Sequence, residues 1–361
     1  MGREARVAIM PAAAATFDLA LPPLPLEAGG VVSPHVVRGW SHGPEGAPVV
    51  LLVHALTGDA AAGAPGGWWE PLIGEGRALD PASVRVVCFN NLGSCYGTSG
   101  PHDPRFPAGP LTTWDQARSL LLALDALGVQ RVALVAGGSL GGMLALCLAA
   151  LAPERFERLL CIAATEASSS WVVGFNHVQA EALRLGGPEH GLALARQIAM
   201  LTYRAENGLE EQQGRPRGSP MALSEPHRVR SYLDYQGEKL VARFDARSYR
   251  AQLDAMDHHD LDRPPPQPSK AERWRHGPGE AGVWGVARVR ASSLLVGIDS
   301  DQLFFPSQVR RLGQRLRERG IHTELALLHS LNGHDAFLIE WEQLDVLLRR
   351  ALRLPAPGTL R

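Results

Sequence analysis

A short glycine-rich turn between two apolar runs is the feature that most constrains how this chain can fold. The segment from Ala133 to Leu146 reads ALVAGGSLGGMLAL and places Ser139 among four glycines. The aliphatic residues before the turn suit a buried parallel strand, whereas the apolar, alanine-rich residues from Met143 onward suit a helix packed on that strand. Ser139 is therefore predicted to lie on a tight turn from strand to helix.

The spacing Gly-x-Ser-x-Gly gives this turn a chemical meaning. Gly137 and Gly141 flank Ser139, and a side chain at either position would collide with the backbone of an abrupt strand-to-helix turn. Such a turn presents the serine hydroxyl at the end of a strand. We therefore predict that Ser139 is a nucleophile and not an incidental residue of a glycine-rich turn.

Short apolar runs bounded by turn residues recur along the chain. They cover residues 48–56, 84–90, 131–137, 158–164, 292–299 and 323–329. Helix-period segments, for instance 113–127 and 307–319, lie between most of them. This alternation predicts an α/β fold around a mainly parallel sheet with helices on both faces.

The alternation stops between residues 165 and 285, where helical, polar and proline-rich pieces replace it. We predict that this stretch is a helical cap inserted into a core of residues 1–164 and 286–361. Its far end, LDRPPPQPSKAERWRHGPGEAG, is rich in proline, glycine and charge, which predicts a surface linker that returns the chain to the sheet.

The composition limits the partners of such a chain. Its 361 residues are 45% hydrophobic with a net charge of -1, which gives no reason to expect nucleic acid or an anionic membrane surface. The four cysteines form no CxxC pair and three lie in apolar runs, as in reduced cytosolic proteins.

The N-terminal stretch superficially resembles a signal peptide, but Pro11 interrupts it and Asp18 ends it early, so we expect no export.

A serine hydroxyl is a weak nucleophile at neutral pH and needs an imidazole base that a carboxylate orients. In α/β-hydrolase folds these residues follow in the order serine, acid, histidine. The segment LLVGIDSDQLFFP presents Asp299 and Asp301 where a strand ends, and either could be the acid. His334, in NGHDAFL, lies between a strand and an apolar helix and is the candidate base.

The anion that forms on an attacked carbonyl needs N–H donors already in place. The N–H of Leu140 follows the nucleophile at the start of a helix, where the helix dipole favours negative charge. A second donor is expected from the loop HALTGD after the first core strand, where Leu56 or Thr57 could supply the amide. We take Leu56 as the candidate.

Three other segments have a suggestive composition. MDHHDLD, residues 256–262, could bind zinc, but its central side chains are consecutive and cannot easily converge on one ion. NNLGSCYGTSGP lacks the spacing of a phosphate-binding loop and is interpreted as an active-site loop. The tryptophans of PGGWWEPL are interpreted as packing residues. We therefore expect no bound metal or cofactor.

These motifs together resemble those of the homoserine O-acetyltransferases, a family of α/β-hydrolase-fold acyltransferases. The resemblance covers residues 49–338 through HALTGDA, GWWEPLIGEGRALD, NLGSCYGTSGP, GGSLGGM, GLALARQIAMLTYR, SYLDYQGEKLVARFDARSY, VGIDSDQLFFP and NGHDAFL. It implies a ping-pong enzyme in which Ser139 takes an acyl group from acyl-CoA and passes it to the hydroxyl of a small amino acid, and the cysteine usage places this enzyme in the cytoplasm. L-homoserine, in methionine biosynthesis, is the default acceptor, and the resemblance also hints at a homodimer formed through the cap.

The resemblance also implies roles for single residues. It selects Asp301 over Asp299 as the acid, keeps His334 as the base, and marks Asp335 as a ligand of the acceptor's ammonium group, for which a carboxylate is a suitable partner.

One departure from the family concerns the acceptor's carboxylate. Family members usually carry an arginine four residues after the asparagine of the FN pair, whereas this chain has Ala180 there. Our hypothesis is that Arg184, one helical turn further on, reaches back to the same place. The altered position leaves open another acceptor such as L-serine. The choice between acetyl and succinyl as the acyl group is also open, because it depends on the shape of the pocket near the oxyanion loop. A hydrolase (an esterase or thioesterase) and a non-catalytic binding protein are the alternatives.

Overall fold

The computed structural model describes residues 13–215, 227–274 and 283–357. The first residues of the stretch that resembles a signal peptide and the last part of the predicted return linker lie outside these ranges. Within them, no helix is long and apolar enough to cross a membrane.

An eight-stranded sheet forms the centre of the structure, in the spatial order β1-β4-β6-β5-β7-β8-β9-β10. The strands are β1 Ala15–Leu21, β2 Leu24–Pro25, β3 Val31–Val32, β4 His35–His42, β5 Val49–Val53, β6 Arg85–Phe89, β7 Leu134–Gly138, β8 Arg158–Ile162, β9 Ser292–Ile298 and β10 Thr323–Leu328. In this spatial order, the neighbouring strands β6, β5, β7, β8, β9 and β10 are all paired in parallel. Strand β4 pairs antiparallel with β1 and with β6. The mainly parallel sheet is therefore confirmed, and β2 and β3 form a separate ribbon.

Helices connect these strands and flank the sheet. They are α1 Thr113–Ala126, α2 Leu140–Leu151, α3 Ser170–Gly186, α4 Leu192–Tyr203, α5 Glu206–Gln213, α6 Arg228–Val241, α7 Ala246–Asp257, α8 Pro306–Glu318 and α9 Trp341–Leu352. All residues of α2 are buried, and so are all residues of β7, the strand that precedes it. A helix that is apolar on every side is typically buried in this way. Helix α1 begins with a capping box between Thr112 and Asp115.

The two antiparallel strands β1 and β4 are the parts of the sheet that the sequence analysis missed. Residues 15–21 belong to the stretch that resembles a signal peptide, yet they pair with all of β4 except its last residue. Asp18 does not end an apolar segment there. Its carboxylate accepts a hydrogen bond of 2.8 Å from Arg38 on the neighbouring strand.

Helices α3 to α7 come between β8 and β9 in the chain, although these two strands are neighbours in the sheet. Arg158 of β8 lies opposite Ser292 of β9 in parallel register. The polypeptide therefore leaves one strand, forms the helices, and returns to the adjacent strand. In this insertion α4 packs on α3 and α6, and α3 also packs on α7. The exact bounds of the predicted cap stay a prediction.

The four cysteines all lie in the described residues and are free thiols. Cys88, Cys147 and Cys161 are buried and Cys95 is half-buried. Burial raises the pKa of the Cys147 thiol to about 12, so that residue is an inert part of the core.

Candidate active site

Ser139 forms the turn between the end of β7 at Gly138 and the start of α2 at Leu140. Its backbone has φ 56° and ψ -128°, a region that residues with a side chain rarely adopt. The Ser139 N–H donates a 2.9 Å hydrogen bond to the carbonyl of Ile162 in β8, which holds the turn to the sheet. A strained residue fixed in this way presents its side chain at the carboxyl end of the sheet.

The two glycines of the Gly-x-Ser-x-Gly motif are required by close backbone approaches. A Cβ on Gly137 would lie 2.3 Å from the carbonyl oxygen of Gly141, and a Cβ on Gly141 would lie 2.1 Å from the carbonyl oxygen of Val53. Both distances are far below van der Waals contact, so the predicted collision is confirmed at both positions.

Asp301 and His334 are brought together by the loops that follow β9 and β10. The His334 Nδ1–H donates to Asp301 Oδ2 at 2.8 Å, and both side chains are buried. The other carboxylate oxygen of Asp301 accepts backbone N–H groups from Leu303 at 2.8 Å and Phe304 at 2.9 Å. These bonds fix the carboxylate and therefore the orientation of the imidazole.

Asp299, the other candidate acid, has a different partner. It lies 2.9 Å from Nδ1 of His329, and the His329 side chain is 71% exposed. This second pair is on the surface and is separate from the cavity lining that contains Ser139. Of the two aspartates that the sequence left open, the geometry therefore selects Asp301.

The pKa of His334 is raised above its ordinary value. Burial by itself favours the neutral ring and would lower the pKa, but the negative charge of Asp301 and its hydrogen bond outweigh burial, and the charge of Asp335 adds to them. The imidazole is also enclosed by the rings of Phe304, Tyr203 and Phe337, with centroids 5.3, 5.5 and 5.6 Å from its own. The base is thus held rigidly and favours taking up a proton.

The Nε2 atom of His334 is buried and has no hydrogen-bond partner among the described residues. The bond from the Ser139 hydroxyl that the sequence analysis expected is therefore not formed. Ser139 and His334 nevertheless line the same cavity of about 450 Å³. Hydrogen bonds between a nucleophile and its base are often long or poorly aligned outside the reacting complex, so the arrangement is compatible with the predicted pair.

The expected oxyanion donors lie beside this cavity. Leu140 is the first residue of α2, where N–H groups have no partner within the helix, and Leu56 and Thr57 line the cavity directly. The Leu56 loop is held by buried His54, whose Nε2 accepts a 2.9 Å bond from the Asn91 N–H and whose Nδ1–H donates to the Ala55 carbonyl at 2.7 Å. Burial lowers the pKa of His54, which keeps it neutral in this role.

The segment NNLGSCYGTSGP, interpreted from the sequence as an active-site loop, does not line the described part of the cavity. It supports the oxyanion loop from behind, through the bond from Asn91 to His54. The tryptophan interpretation is right for Trp69, which is fully buried and donates its indole N–H to the Phe337 carbonyl at 2.8 Å. It is incomplete for Trp68, which lines the cavity.

Asp335 lies on the cavity wall next to His334, where the sequence analysis expected it. Arg204 supports it from one side, with Nε 3.7 Å from Asp335 Oδ2. A cation that the sequence analysis missed, Arg196 of α4, lines the same cavity, and its guanidinium lies 5.7 Å from the ring centroid of Tyr203. The spacing of seven residues between Arg196 and Tyr203 in GLALARQIAMLTYR puts both on one helix face, but this spacing does not tell which face of the helix covers the cavity.

The predicted placement of Arg184 is wrong. Its side chain is 62% exposed and pairs with Glu181 at 2.7 Å on the same helix. Together with Ala180 it lines a separate surface groove between α3 and α7, because this face of α3 points away from the cavity. The alanine at position 180 therefore removes nothing from the cavity wall.

The two histidines of MDHHDLD point in different directions at the end of α7. His259 is buried, with Nδ1 3.0 Å from Thr113 Oγ1 and Nε2 2.9 Å from the Thr165 carbonyl. His258 is exposed and bonds to the Asp254 carbonyl at 2.7 Å. The segment thus joins the insertion to the core.

Comparison with known proteins adds to this geometry. The model of a family described as the alpha/beta hydrolase fold matches residues 48–339. A homoserine O-acetyltransferase from Thermus thermophilus is 41% identical over 340 residues, covering 83% of this chain and 80% of the relative. The crystal structure of homoserine O-acetyltransferase from Staphylococcus aureus superposes with a TM-score of 0.77 at 29% identity, covering 95% and 96% of the two chains. The structure of esterase E22 shares the fold with a TM-score of 0.78 at 18% identity, covering 95% and 100%.

Proposed function

Because this chain belongs to the α/β-hydrolase fold family and, within it, to the homoserine O-acetyltransferases, we propose that it transfers an acetyl group from acetyl-CoA to the hydroxyl of L-homoserine. Ser139 would carry the acetyl group between the two substrates. The observation that carries the proposal is the unpartnered Nε2 of His334, which is buried in the cavity that Ser139 lines and is backed by Asp301.

In the first half of the reaction, Ser139 Oγ attacks the thioester carbonyl while its proton passes to His334 Nε2. The N–H groups of Leu140 and Leu56 would hold the oxygen anion of the tetrahedral intermediate. The C–S bond then breaks, the leaving sulfur takes the proton from the imidazolium, and CoA departs as the thiol. An acetyl ester on Ser139 remains.

In the second half, the acceptor hydroxyl gives its proton to the same nitrogen and attacks the ester carbonyl. The C–O bond to Ser139 breaks, and the proton returns from the imidazolium to Ser139 Oγ. Free imidazole is regenerated, so one base serves both halves.

An amino-acid acceptor suits this cavity because Asp335 and Arg196 bring a carboxylate and a guanidinium to its wall. Asp335 would bind the ammonium group and Arg196 the carboxylate of the acceptor. Arg196 thereby takes the role for which the sequence analysis considered Arg184. Burial of the site matters as well, since an acetyl-serine open to water would hydrolyse.

The decisive experiment measures both halves separately. Purified protein is mixed with acetyl-CoA or succinyl-CoA, the acyl adduct is sought by mass spectrometry of the Ser139 peptide, and thiol release is followed with and without L-homoserine or L-serine. We expect an acetyl adduct, absent in Ser139→Ala, and thiol release that L-homoserine accelerates. Thiol release that no acceptor changes would instead identify a hydrolase.

The resemblance implies a homodimer and the cysteine usage implies the cytosol, and we keep both as proposals. Light scattering on a size-exclusion column tests the dimer, with twice the mass of one chain as the expected result.

A further inference from the structure

The mouth of the candidate active site carries two cations that have no role in the chemistry described above. Lys239, in the last turn of α6, and Arg243, two residues after its end, line the cavity that contains Ser139. Both residues are exposed, whereas Ser139 and His334 are buried at 5% and 2% exposure. The cavity therefore runs from a buried, reactive end to a positively charged end at the surface.

Neither cation forms an ion pair with a carboxylate of the described residues, although Asp59 also lines the cavity. The ammonium group of Lys239 lies over the ring of Tyr235, 5.9 Å from its centroid. Arg243 donates only to neutral oxygens, namely the Thr57 carbonyl at 2.8 Å, the Tyr96 hydroxyl at 2.7 Å and the Thr57 hydroxyl at 3.3 Å.

Several exposed arginines on other helices of this protein, unlike these two cations, are paired with a carboxylate. Arg184, Arg250 and Arg349 each bond to a carboxylate three or four residues away on their own helix. Lys239 instead has Tyr235 one turn before it in α6, and Arg243 follows two residues after the end of this helix. The C-terminal end of the helix dipole favours a cation at Lys239, but no carboxylate of the described residues forms an ion pair with either side chain.

An acyl-CoA has the matching distribution of charge. Its thioester end is uncharged and reaches a buried serine through a long, narrow arm, while its phosphates are at the opposite end and are costly to remove from water. The phosphates must therefore stay at the solvent end of the cavity when the thioester is at Ser139.

On the basis of the proposed function, we infer that Lys239 and Arg243 form the subsite that binds the phosphate groups of the acyl-CoA donor. The subsite favours a donor that carries a nucleotide over a short thioester. The acceptor would bind deeper in the cavity, at Arg196 and Asp335. Since Arg243 also holds Thr57 of the oxyanion loop, Lys239 is the residue on which phosphate binding can be tested most cleanly.

The test is direct binding, which does not require turnover. The Kd values of CoA and of pantetheine, which lacks the phosphates and the nucleotide, are measured by calorimetry for the unmodified protein, Lys239→Gln, Arg243→Gln and Lys239→Arg. Arg230→Gln is the matched control, because Arg230 is an exposed cation of the same helix outside the cavity lining. Melting temperatures of all variants verify that they are folded.

We expect each glutamine variant of the subsite to weaken CoA binding about 3- to 10-fold, the range of one charge-assisted contact at an exposed site. Lys239→Arg and Arg230→Gln should stay within about twofold of the unmodified protein, and pantetheine should bind all variants alike. Raising the salt concentration should weaken binding of CoA but not of pantetheine.

Equal CoA binding by Lys239→Gln and the unmodified protein would overturn the subsite, as would an equal loss of pantetheine binding. These outcomes are separate from failure of the proposed function. If CoA binds through Lys239 but no acetyl group reaches Ser139, the proposed function is wrong and the subsite stands. If acetyl transfer occurs and Lys239→Gln binds CoA normally, only the subsite is wrong.

Discussion

The Asp301 carboxylate lies 2.8 Å from Nδ1 of His334, and the opposite ring nitrogen of this histidine is buried without a partner among the described residues. Asp301 therefore fixes one tautomer, with the proton on Nδ1 and the lone pair of Nε2 available in the cavity. Because both side chains are buried, water does not compete for the bond.

The first prediction concerns this pair. Asp301→Asn should lower kcat by about 10⁴-fold, because the amide can hold the ring in the wrong tautomer and cannot stabilise the imidazolium. Asp299→Asn is the matched control and should stay within about twofold of the unmodified protein, since Asp299 pairs with exposed His329. Steady-state thiol release measures both variants, and the reverse ranking would make Asp299 the acid.

The second prediction concerns pH. His334 acts as a base only when it is neutral, and its pKa is raised above the ordinary value of 6.5, so kcat/KM should fall as the pH decreases through this raised pKa. Asp335 contributes to the rise. Asp335→Asn should therefore move the acidic limb to lower pH.

Hydrolysis of p-nitrophenyl acetate, which has no ammonium group, separates this effect from acceptor binding by Asp335. Asp299→Asn should leave the acidic limb in place. An acidic limb that Asp335→Asn does not move would show that Asp335 has no electrostatic influence on the base.

The third prediction concerns the acceptor. Arg196→Gln should raise the KM for L-homoserine by roughly 30-fold or more, because it removes a charged partner from a partly desolvated site. Acetylation of Ser139 by the donor should change little. Arg184→Gln removes the same charge from the outer groove and should leave the acceptor KM unchanged. Equal effects of the two variants would mean that neither arginine binds the acceptor directly.

The fourth prediction compares two glycines. Gly141→Ala should reduce the free energy of unfolding by more than about 2 kcal/mol, because its Cβ would lie 2.1 Å from the Val53 carbonyl oxygen. Gly174→Ala, on the exposed face of α3 with no atom within 4 Å of its Cβ, should increase it by about 0.5–1 kcal/mol. Urea denaturation measures both, and a stable Gly141→Ala variant would contradict the close packing at the turn.

The parallel strands could be predicted from sequence because each is a short, continuous apolar run bounded by turn residues. The observed bounds of β8, Arg158–Ile162, and of β9, Ser292–Ile298, fall inside the predicted runs. The edge strand β1 was missed because an edge strand half open to solvent alternates apolar and polar residues and lacks a continuous run.

Local motifs also predicted the turn at Ser139 and the segments of Asp301 and His334, because these residues directly follow predicted strands. Arg196 was not predicted because it lies on a helix of the insertion. Which face of such a helix covers the cavity depends on how the insertion packs on the core, and nothing local to the helix determines this. The wrong placement of Arg184 has the same cause.

The adjacency of β8 and β9 has a consequence for how this lineage can change. The two strands hydrogen-bond to each other directly, so their register does not depend on the helices that connect them. Changes in the insertion can therefore alter the part of the cavity wall that Arg196 lines, while Ser139, Asp301 and His334 stay where the sheet and its loops hold them. One wall of the cavity can vary without displacing the residues at its buried end.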